Sequence, residues 1–317
     1  MASIRPLNGF RDFYPPAFAE RAHIFATWRR VAARYGFVEY DGPPLEPLEL
    51  YTKKSGAEIV DQLYNFVDKG GRDVSLRPEM TPTFARMVGA RAQTLRKPVR
   101  WFSIPQLFRY ERAQRGRLRE HFQLNADIFG DGGESADAEL LAMVIDILRE
   151  FGLTSDDVRV RLSDRRLLNA VLHAMGHPAE RIPAIYAVLD KLDRQPRELS
   201  VEKLATAGCT TAQVDALLAL IEQANATGVA ALAPLLQDAE GATRLAAMQE
   251  TLAMTQALIG TAVAPWVRLD LTIVRGLAYY TGIVFEVFDA KGELRAVCGG
   301  GRYDELLNAL GGVDMPA

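Results

Sequence analysis

Cysteine is nearly absent: Cys209 and Cys298 are the only two among 317 residues. Two thiols so far apart in sequence make neither a disulfide framework nor a thiolate metal site, and they point to a reducing compartment. Histidine is almost as scarce. Of His23, His121, His173 and His177, only the last two have a helical metal-pair spacing, in "HAMGH", and no acidic residue lies between them. All four are read as surface or packing residues, and no serine or cysteine has a histidine partner by motif that would mark a covalent nucleophile. There is no apolar run of about 18 residues, and "MASIRPLNGFRDFYPP" has no basic region followed by an apolar one. A cytoplasmic protein without export signal or membrane span is expected. Charge of one sign is also missing: 37 Lys and Arg against 40 Asp and Glu leave a net charge of −3. Contact with a nucleic acid must then come from local arginine clusters.

What is present is apolar material for one large or two ordinary domains, with 49% hydrophobic residues. The 14 Phe, 10 Tyr and 3 Trp are unevenly spread, for Tyr186 is the only aromatic residue between Phe151 and Trp266. This Ala- and Leu-rich stretch has helical spacing in "DRRLLNAVLHAM", "QVDALLALIEQA" and "ATRLAAMQETLAMTQALI". We expect a helical insertion over 161–265 between the first part of a core, 1–160, and its second part, 266–317. Helices are expected from Phe18 to Tyr35, at "TPTFARMVGARA" with Thr81 as cap and Pro82 in the first turn, and after Ser135. Strands are expected at "LYNFVD", "DVSL", "VRWFSI", "LFRYE", "HFQLNADIF", "VRVRL", "WVRLDL" and "IVFEVFD", and "DGPPLEPLEL" reads as a Pro-rich loop. The fold class is α+β: an antiparallel sheet flanked by helices, with an inserted α-helical domain.

Four clusters could carry chemistry. In "LFRYERAQRGRLREHFQLNAD", Arg109, Arg112, Arg115, Arg117 and Arg119 surround the turn former Gly116. Guanidinium forks suit phosphate oxygens, so this hairpin could bind a polyphosphate; a solvated charged hairpin with Glu111 and Glu120 as partners is the plainer alternative. If the following strand is continuous, His121, Gln123, Asn125 and Asp127 share one face and Phe122, Leu124, Ala126 and Ile128 the other. In "SLRPEMTPTFAR", Glu79 and Thr81 could accept hydrogen bonds from an ammonium group. "VRGLAYYTGIVFEVFD" places Arg275, Tyr279 and Tyr280 at a Gly-flanked turn that equally suits a hairpin with aromatic core residues. Finally, "CGGGRYDELL" reads as a glycine loop before a short helix, without Rossmann or P-loop spacing.

In this order, the four clusters resemble the histidyl-tRNA synthetase family of class II aminoacyl-tRNA synthetases. "FRYERAQRGRLREHFQ" is similar to class II motif 2, "VRGLAYYTG" and "GGGRYDEL" to the two histidine-specific motifs, "LRPEMT" to the segment that holds the amino group, and "AVLDKLDR" to part of the insertion domain. The resemblance implies that Glu79, Thr81 and Gln123 surround the α-ammonium of L-histidine, and that Asp127 and Tyr280, with Tyr279 nearby, read its imidazole. It implies that Arg109 bridges the substrate carboxylate and the α-phosphate of ATP, that Arg275 approaches the same phosphate, and that Glu111 and Arg117 belong to the ATP site. These two arginines, Arg109 and Arg275, are the implied catalytic residues. Mg2+ would bridge the phosphates with no protein ligand assigned. The implied partners are tRNA(His), its acceptor stem clamped by the helical insertion, and a second copy of the chain, joined through the region of Phe18 to Tyr35 and "EYDGPPLEPLELY".

Two departures qualify the resemblance. Ala278 stands where many members carry aspartate, and "LGGVDMPA" ends where the family continues into motif 3 and an anticodon-binding domain. The expectation is a truncated catalytic region with weak or no activity alone. The alternative is the regulatory subunit of ATP phosphoribosyltransferase, a non-aminoacylating relative without an anticodon domain. Retention of Glu79, Arg109, Gln123, Arg275, Tyr279 and Tyr280, together with "DKLDR", favours the synthetase.

Overall fold

Pro15 and Pro16 open the first helix, α1 (Pro15–Arg34), because a proline in the first turn gives up no hydrogen bond and its fixed φ suits the helix. The helix therefore starts ahead of Phe18, and it is followed by Gly36 at φ +73°. The structure, a computed structural model, describes residues 4–55, 57–110, 118–274 and 280–317. The chain divides into two units, one of residues 1–131 with 304–317 and one of residues 132–303.

In the first unit α1 is followed by β1 (Val38–Glu39), β2 (Leu45–Pro47), α2 (Glu49–Ser55), β3 (Asn65–Val67), β4 (Asp73–Leu76), α3 (Thr81–Gly89), β5 (Val99–Ser103), β6 (Gln106–Phe108), β7 (Glu120–Phe122) and β8 (Asn125–Phe129). They form sheets of order β1-β5-β8, β2-β4-β3 and β6-β7. All pairs are antiparallel except β1 with β5. Phe84 on α3, fully buried, stacks on Tyr40 at 4.6 Å and Trp101 at 5.7 Å and meets Phe129 edge-on at 4.7 Å. Burying one such ring stabilises by about 1.5–3 kcal/mol, so this cluster holds α3, and the turn before it, against β5 and β8. Close approach also needs Gly42: a Cβ there would lie 2.5 Å from Thr83 Cγ2.

The second unit contains α4 (Glu134–Glu150), β9 (Val158–Asp164), α5 (Arg165–Ala174), α6 (Ile182–Leu189), α7 (Arg197–Thr206), α8 (Thr211–Thr227), α9 (Ala239–Ile259), β10 (Val267–Leu269), β11 (Ile283–Asp289) and β12 (Cys298–Gly301). Between β9 and β10 the described elements are helices and short 3₁₀ turns. Three of their starts, those of α5, α8 and α9, are capped by side chains. Asp164 accepts from Arg166 N and Leu167 N, Thr210 forms a capping box with Gln213, and Asp238 accepts from Gly241 N. The sheet order is β10-β9-β11-β12, with β9 and β10 parallel and the other pairs antiparallel. After β12 the chain returns to the first unit as α10 (Leu306–Gly311), which packs on α2 and α3. The architecture is α+β, with the expected antiparallel pairing joined by two parallel pairs.

The glycine run is a strand, not the expected loop. In β12, a Cβ on Gly300 would lie 2.9 Å from the Phe285 ring, and one on Gly301 would lie 2.7 Å from both Ile283 O and the Tyr280 ring. These glycines make room for rings of the same unit.

Asp270, just after β10, is completely buried. Its carboxylate accepts from Arg161 Nε at 2.5 Å, Thr272 Oγ1 at 2.6 Å, Thr272 N at 3.1 Å and Arg268 Nη2 at 3.2 Å. Burial pushes this carboxyl up, but Arg161 and the two Thr272 donors outweigh burial and hold it below the usual aspartate range.

Gly301→Ala is expected to cost about 1–3 kcal/mol, the usual range for forcing a methyl into filled space, read as a lower urea midpoint; an unchanged midpoint would refute the ring-contact account. Asp270→Asn is expected to cost about 3 kcal/mol at neutral pH, the lower end for breaking a buried pair. Because the folded-state pKa is depressed, this stability is present above the unfolded aspartate value and is lost as pH falls through the folded one. Urea midpoints of wild type and variant should therefore converge below about pH 4, and a gap that widens on acidification would contradict the assignment.

Candidate functional site

The turn bearing Glu79 and Thr81 is built around the preceding arginine. Arg77, 4% exposed, donates from Nη1 to Asp41 Oδ1 at 2.7 Å and Gly42 O at 2.8 Å, and from Nε to Gln106 O at 3.1 Å. Its backbone joins two neighbours as well, Arg77 N donating to Pro44 O and Phe108 N donating to Arg77 O, both at 2.9 Å. Arg109 therefore emerges beside this turn, and its Nε donates to Pro78 O at 3.2 Å. One hydrogen bond and one peptide link Arg109 to Glu79. Glu79 is also felt at Tyr51, whose hydroxyl is pushed up by burial, with Glu46 and Glu79 adding and Arg77 opposing.

Thr81 does not cap α3. Met80 occupies the cap position in an already helical conformation and makes no side-chain cap hydrogen bond, so Thr81 falls inside the first turn beside Pro82. Its hydroxyl is not spent on capping, contrary to the expectation from "MTPTF".

The polar strand is broken. Residues 120–122 pair with β6 and residues 125–129 with β5, in separate sheets. Pro105 accounts for the break: Gln123 N donates to Pro105 O at 3.3 Å, but a proline has no amide to return, and the β6-β7 ladder stops. His121, opposite Leu107, therefore belongs to a different sheet from Asp127, opposite Trp101. Gln123 lies exposed in the crossing, and Asn125 Nδ2 turns back to Gln123 O at 3.3 Å. Phe129, which continuous alternation would put on the polar face, is wholly buried. Tyr40 lies near Asp127. Burial pushes the Tyr40 hydroxyl up, Asp127 and Asp41 add to this and Arg77 opposes, and the buried hydroxyl has no hydrogen-bond partner among the described residues.

At the base of the arginine hairpin, Arg109 N donates to Arg119 O at 2.9 Å, and the Arg119 guanidinium lies 4.5 Å from the centre of the Tyr110 ring. Glu120 is not a solvated partner of the hairpin arginines: it is 1% exposed and accepts from Arg11 Nε at 2.8 Å and Gln106 Nε2 at 3.0 Å. The segment "LNGFRDF" thus closes over the hairpin base, and Arg119 N donates to Gly9 O at 3.0 Å. Sequence reading missed Arg11 and Arg77. For Arg77 the signal available was its place in "LRPEMT", which the resemblance had already singled out. Glu111, Arg112, Arg115, Gly116 and Arg117 lie outside the described residues.

In the second unit, Tyr280 is 8% exposed, with its ring against Gly301. Arg275, Ala278 and Tyr279 lie outside the described residues. Arg302 of "GGGRYDEL" is buried, pairing with Asp137 at 3.1 Å and donating to Gly133 O at 2.9 Å. Among the described residues no group of three or more His, Cys, Asp or Glu could hold a metal ion, and no helix is long and apolar enough to cross a membrane.

Comparison with known proteins agrees along the whole chain. A histidine–tRNA ligase from Opitutus terrae is 47% identical over all of this chain and 72% of its own length, and one from Haloarcula marismortui is 43% identical over 98% of this chain and 71% of its own. A crystal structure from Bacillus halodurans, titled as an ATP phosphoribosyltransferase regulatory subunit/histidyl-tRNA synthetase, superposes with a TM-score of 0.85 at 26% identity, covering 100% of this chain and 80% of that one. A histidyl-tRNA synthetase structure from Nostoc sp., at 21% identity and TM-score 0.85 over 100% of this chain and 72% of that one, agrees in fold. The histidyl-tRNA synthetase family model matches residues 9–317, and with relatives of this identity and coverage the chain belongs to the histidyl-tRNA synthetase family.

Proposed function

We propose that the chain activates L-histidine with ATP to give histidyl adenylate and pyrophosphate, and that the terminal ribose hydroxyl of tRNA(His) then takes the histidyl group with release of AMP. The observation that carries this reading is the link from Arg109 through Pro78 O to Glu79. An amino acid bears its carboxylate and ammonium on one carbon, so an arginine joined to a glutamate through one hydrogen bond and one peptide suits both ends at once. Glu79, Thr81 and Gln123 receive the ammonium, and Asp127 and Tyr280 read the imidazole, with Tyr279 nearby. The histidine carboxylate attacks the α-phosphorus directly, without a general base. Arg109 neutralises the charge that grows on the phosphate, with Arg275 in the same role and Glu111 and Arg117 serving ATP by motif. Mg2+ accompanies ATP as the counter-ion of its phosphates.

Relatives named as ligases at 40–47% identity support this reading over the regulatory-subunit alternative. The helical stretch between β9 and β10 clamps the tRNA acceptor stem, and the reaction runs in the cytoplasm, a setting that suits a chain with two free cysteines. The active species is a homodimer. Exposed apolar side chains support this: Phe18 on α1, Val38 on β1, and Phe66 and Val67 on β3, the last two 50% and 63% exposed.

Calorimetric titration tests the substrate assignment. Asp127→Asn should weaken histidine binding about tenfold, the effect of one charge-assisted hydrogen bond, and leave ATP binding within about twofold; equal loss of both would sink the assignment. Sedimentation equilibrium tests the dimer. The wild type should run at twice the chain mass and Phe66→Glu at the monomer mass, and a monomeric wild type would refute it.

A further inference from the structure

Two arginines, one on β9 and one just after it, each link two parts of the second unit. Arg165, the first residue of α5, donates from Nη1 to Tyr280 O at 2.8 Å and from Nη2 to Val274 O at 3.2 Å. Its fork therefore fixes both flanks of residues 275–279, the stretch of the first histidine-specific motif. The same guanidinium lies 5.6 Å from the ring centre of Tyr186 on α6, and the one proton of the Tyr186 hydroxyl is shared between Arg165 O at 3.2 Å and Asn169 Oδ1. Tyr186 is the lone aromatic residue of the helical stretch. Four residues back along the chain, on β9, Arg161 repeats the arrangement. It donates to buried Asp270, which also orders Thr272, and with its other arm to Asp193 of "DKLDR". Each arginine thus touches the helical stretch on one side and the segment leading to Arg275 on the other.

We propose that Arg165 is a positioning residue for histidine activation, holding the carbonyls of Val274 and Tyr280 at a fixed separation under control of Tyr186, with Arg161 and Asp193 as a second grip. The proposal rests on the function given above, because only a histidine-binding role gives the separation of Val274 and Tyr280 a purpose. Physically, one planar fork with two parallel donors sets the distance between two carbonyls, and a single ammonium cannot. The aromatic face of Tyr186 sets where that fork lies. A load on the helices is therefore felt at Val274 and Tyr280, and by linkage histidine binding is felt at Tyr186.

The test compares Arg165→Lys, Tyr186→Phe and Tyr186→Leu with the wild-type 317-residue chain by amide hydrogen exchange and by titration with histidine and ATP. In the wild type, Val274 N donates to Thr272 O and Thr281 N to Arg302 O, so both amides report on the flanks. In Arg165→Lys, peptides spanning 271–284 should exchange about tenfold faster while those of β9 and α4 do not change. Histidine binding should weaken about tenfold and ATP binding by less than about twofold. Tyr186→Leu should shift both readouts in the same direction, and Tyr186→Phe, which keeps the ring, should shift them less. Unchanged exchange at 271–284 in Arg165→Lys would overturn the proposal, as would acceleration spread evenly over the second unit, which marks a merely structural role. If the wild type bound no histidine at all, the functional reading would fall while the exchange data still decided whether Arg165 holds the stretch.

Discussion

Where a strand stops, its ladder no longer supplies donors to nearby backbone carbonyls, and this shortage governs both units. In four places the residue after the last strand residue is an arginine: Arg77 after β4, Arg109 after β6, Arg165 after β9 and Arg302 after β12. Each gives guanidinium N–H groups to carbonyls of neighbouring segments. Arg77 serves Gly42 and Gln106, Arg109 serves Pro78, Arg165 serves Val274 and Tyr280, and Arg302 serves Gly133. A fork with five donors is suited to such junctions, because several buried acceptors are satisfied by one side chain. The turn that bears Glu79, and the backbone at Tyr280, are among the places held in this way.

Taking such charges out of water is costly, and the outcome depends on the count of partners. At Asp137, burial outweighs the opposing pull of Arg302 and pushes the carboxyl up to about 6. At Asp270, also deeply buried, Arg161 and the amide and hydroxyl of Thr272 outweigh burial and the carboxyl is pushed down. The difference lies in the additional hydrogen bonds from Thr272 and in the like charge of Asp164, which raises Asp137 further, in keeping with the rule that a buried ion pair repays its desolvation only when its remaining lone pairs are satisfied. Asp270 is accordingly the firmer anchor, at the point where the chain runs toward Arg275.

The sequence made the α+β class, most strands and the helical run between β9 and β10 legible, because these depend on periodicity over many residues. It failed where one residue changed the local chemistry. Pro105 ended a ladder and divided what alternation described as one polar strand. Met80 adopted a helical conformation and displaced Thr81 from the cap. Gly300 and Gly301 looked like a loop because nothing in a glycine run names the rings of Phe285 and Tyr280 that occupy the space. Pairing partners and ring contacts are nonlocal, and no window along the chain reports them. Arg77 and Arg302 were inside the recognised motifs, yet sequence alone could not separate an arginine that serves carbonyls from one that faces a phosphate.

That distinction bears on how Arg109 can act. Its Nε is committed to Pro78 O, so the groups able to meet an anion are the two Nη amino groups, and the bond that commits Nε also fixes the plane in which they lie. A lysine at this position would keep the charge and lose the plane. The carbonyl doing the orienting belongs to the residue before Glu79, so a shift of the backbone there carries the guanidinium with it. Arg77 holds the turn beneath both through Asp41, Gly42 and Gln106. The proposed placement of charge for the ammonium and the carboxylate of one amino acid thus reduces to a single part-buried joint, an economy that suits catalysis by positioning, since two independently mobile groups would each have to be ordered at the moment of reaction.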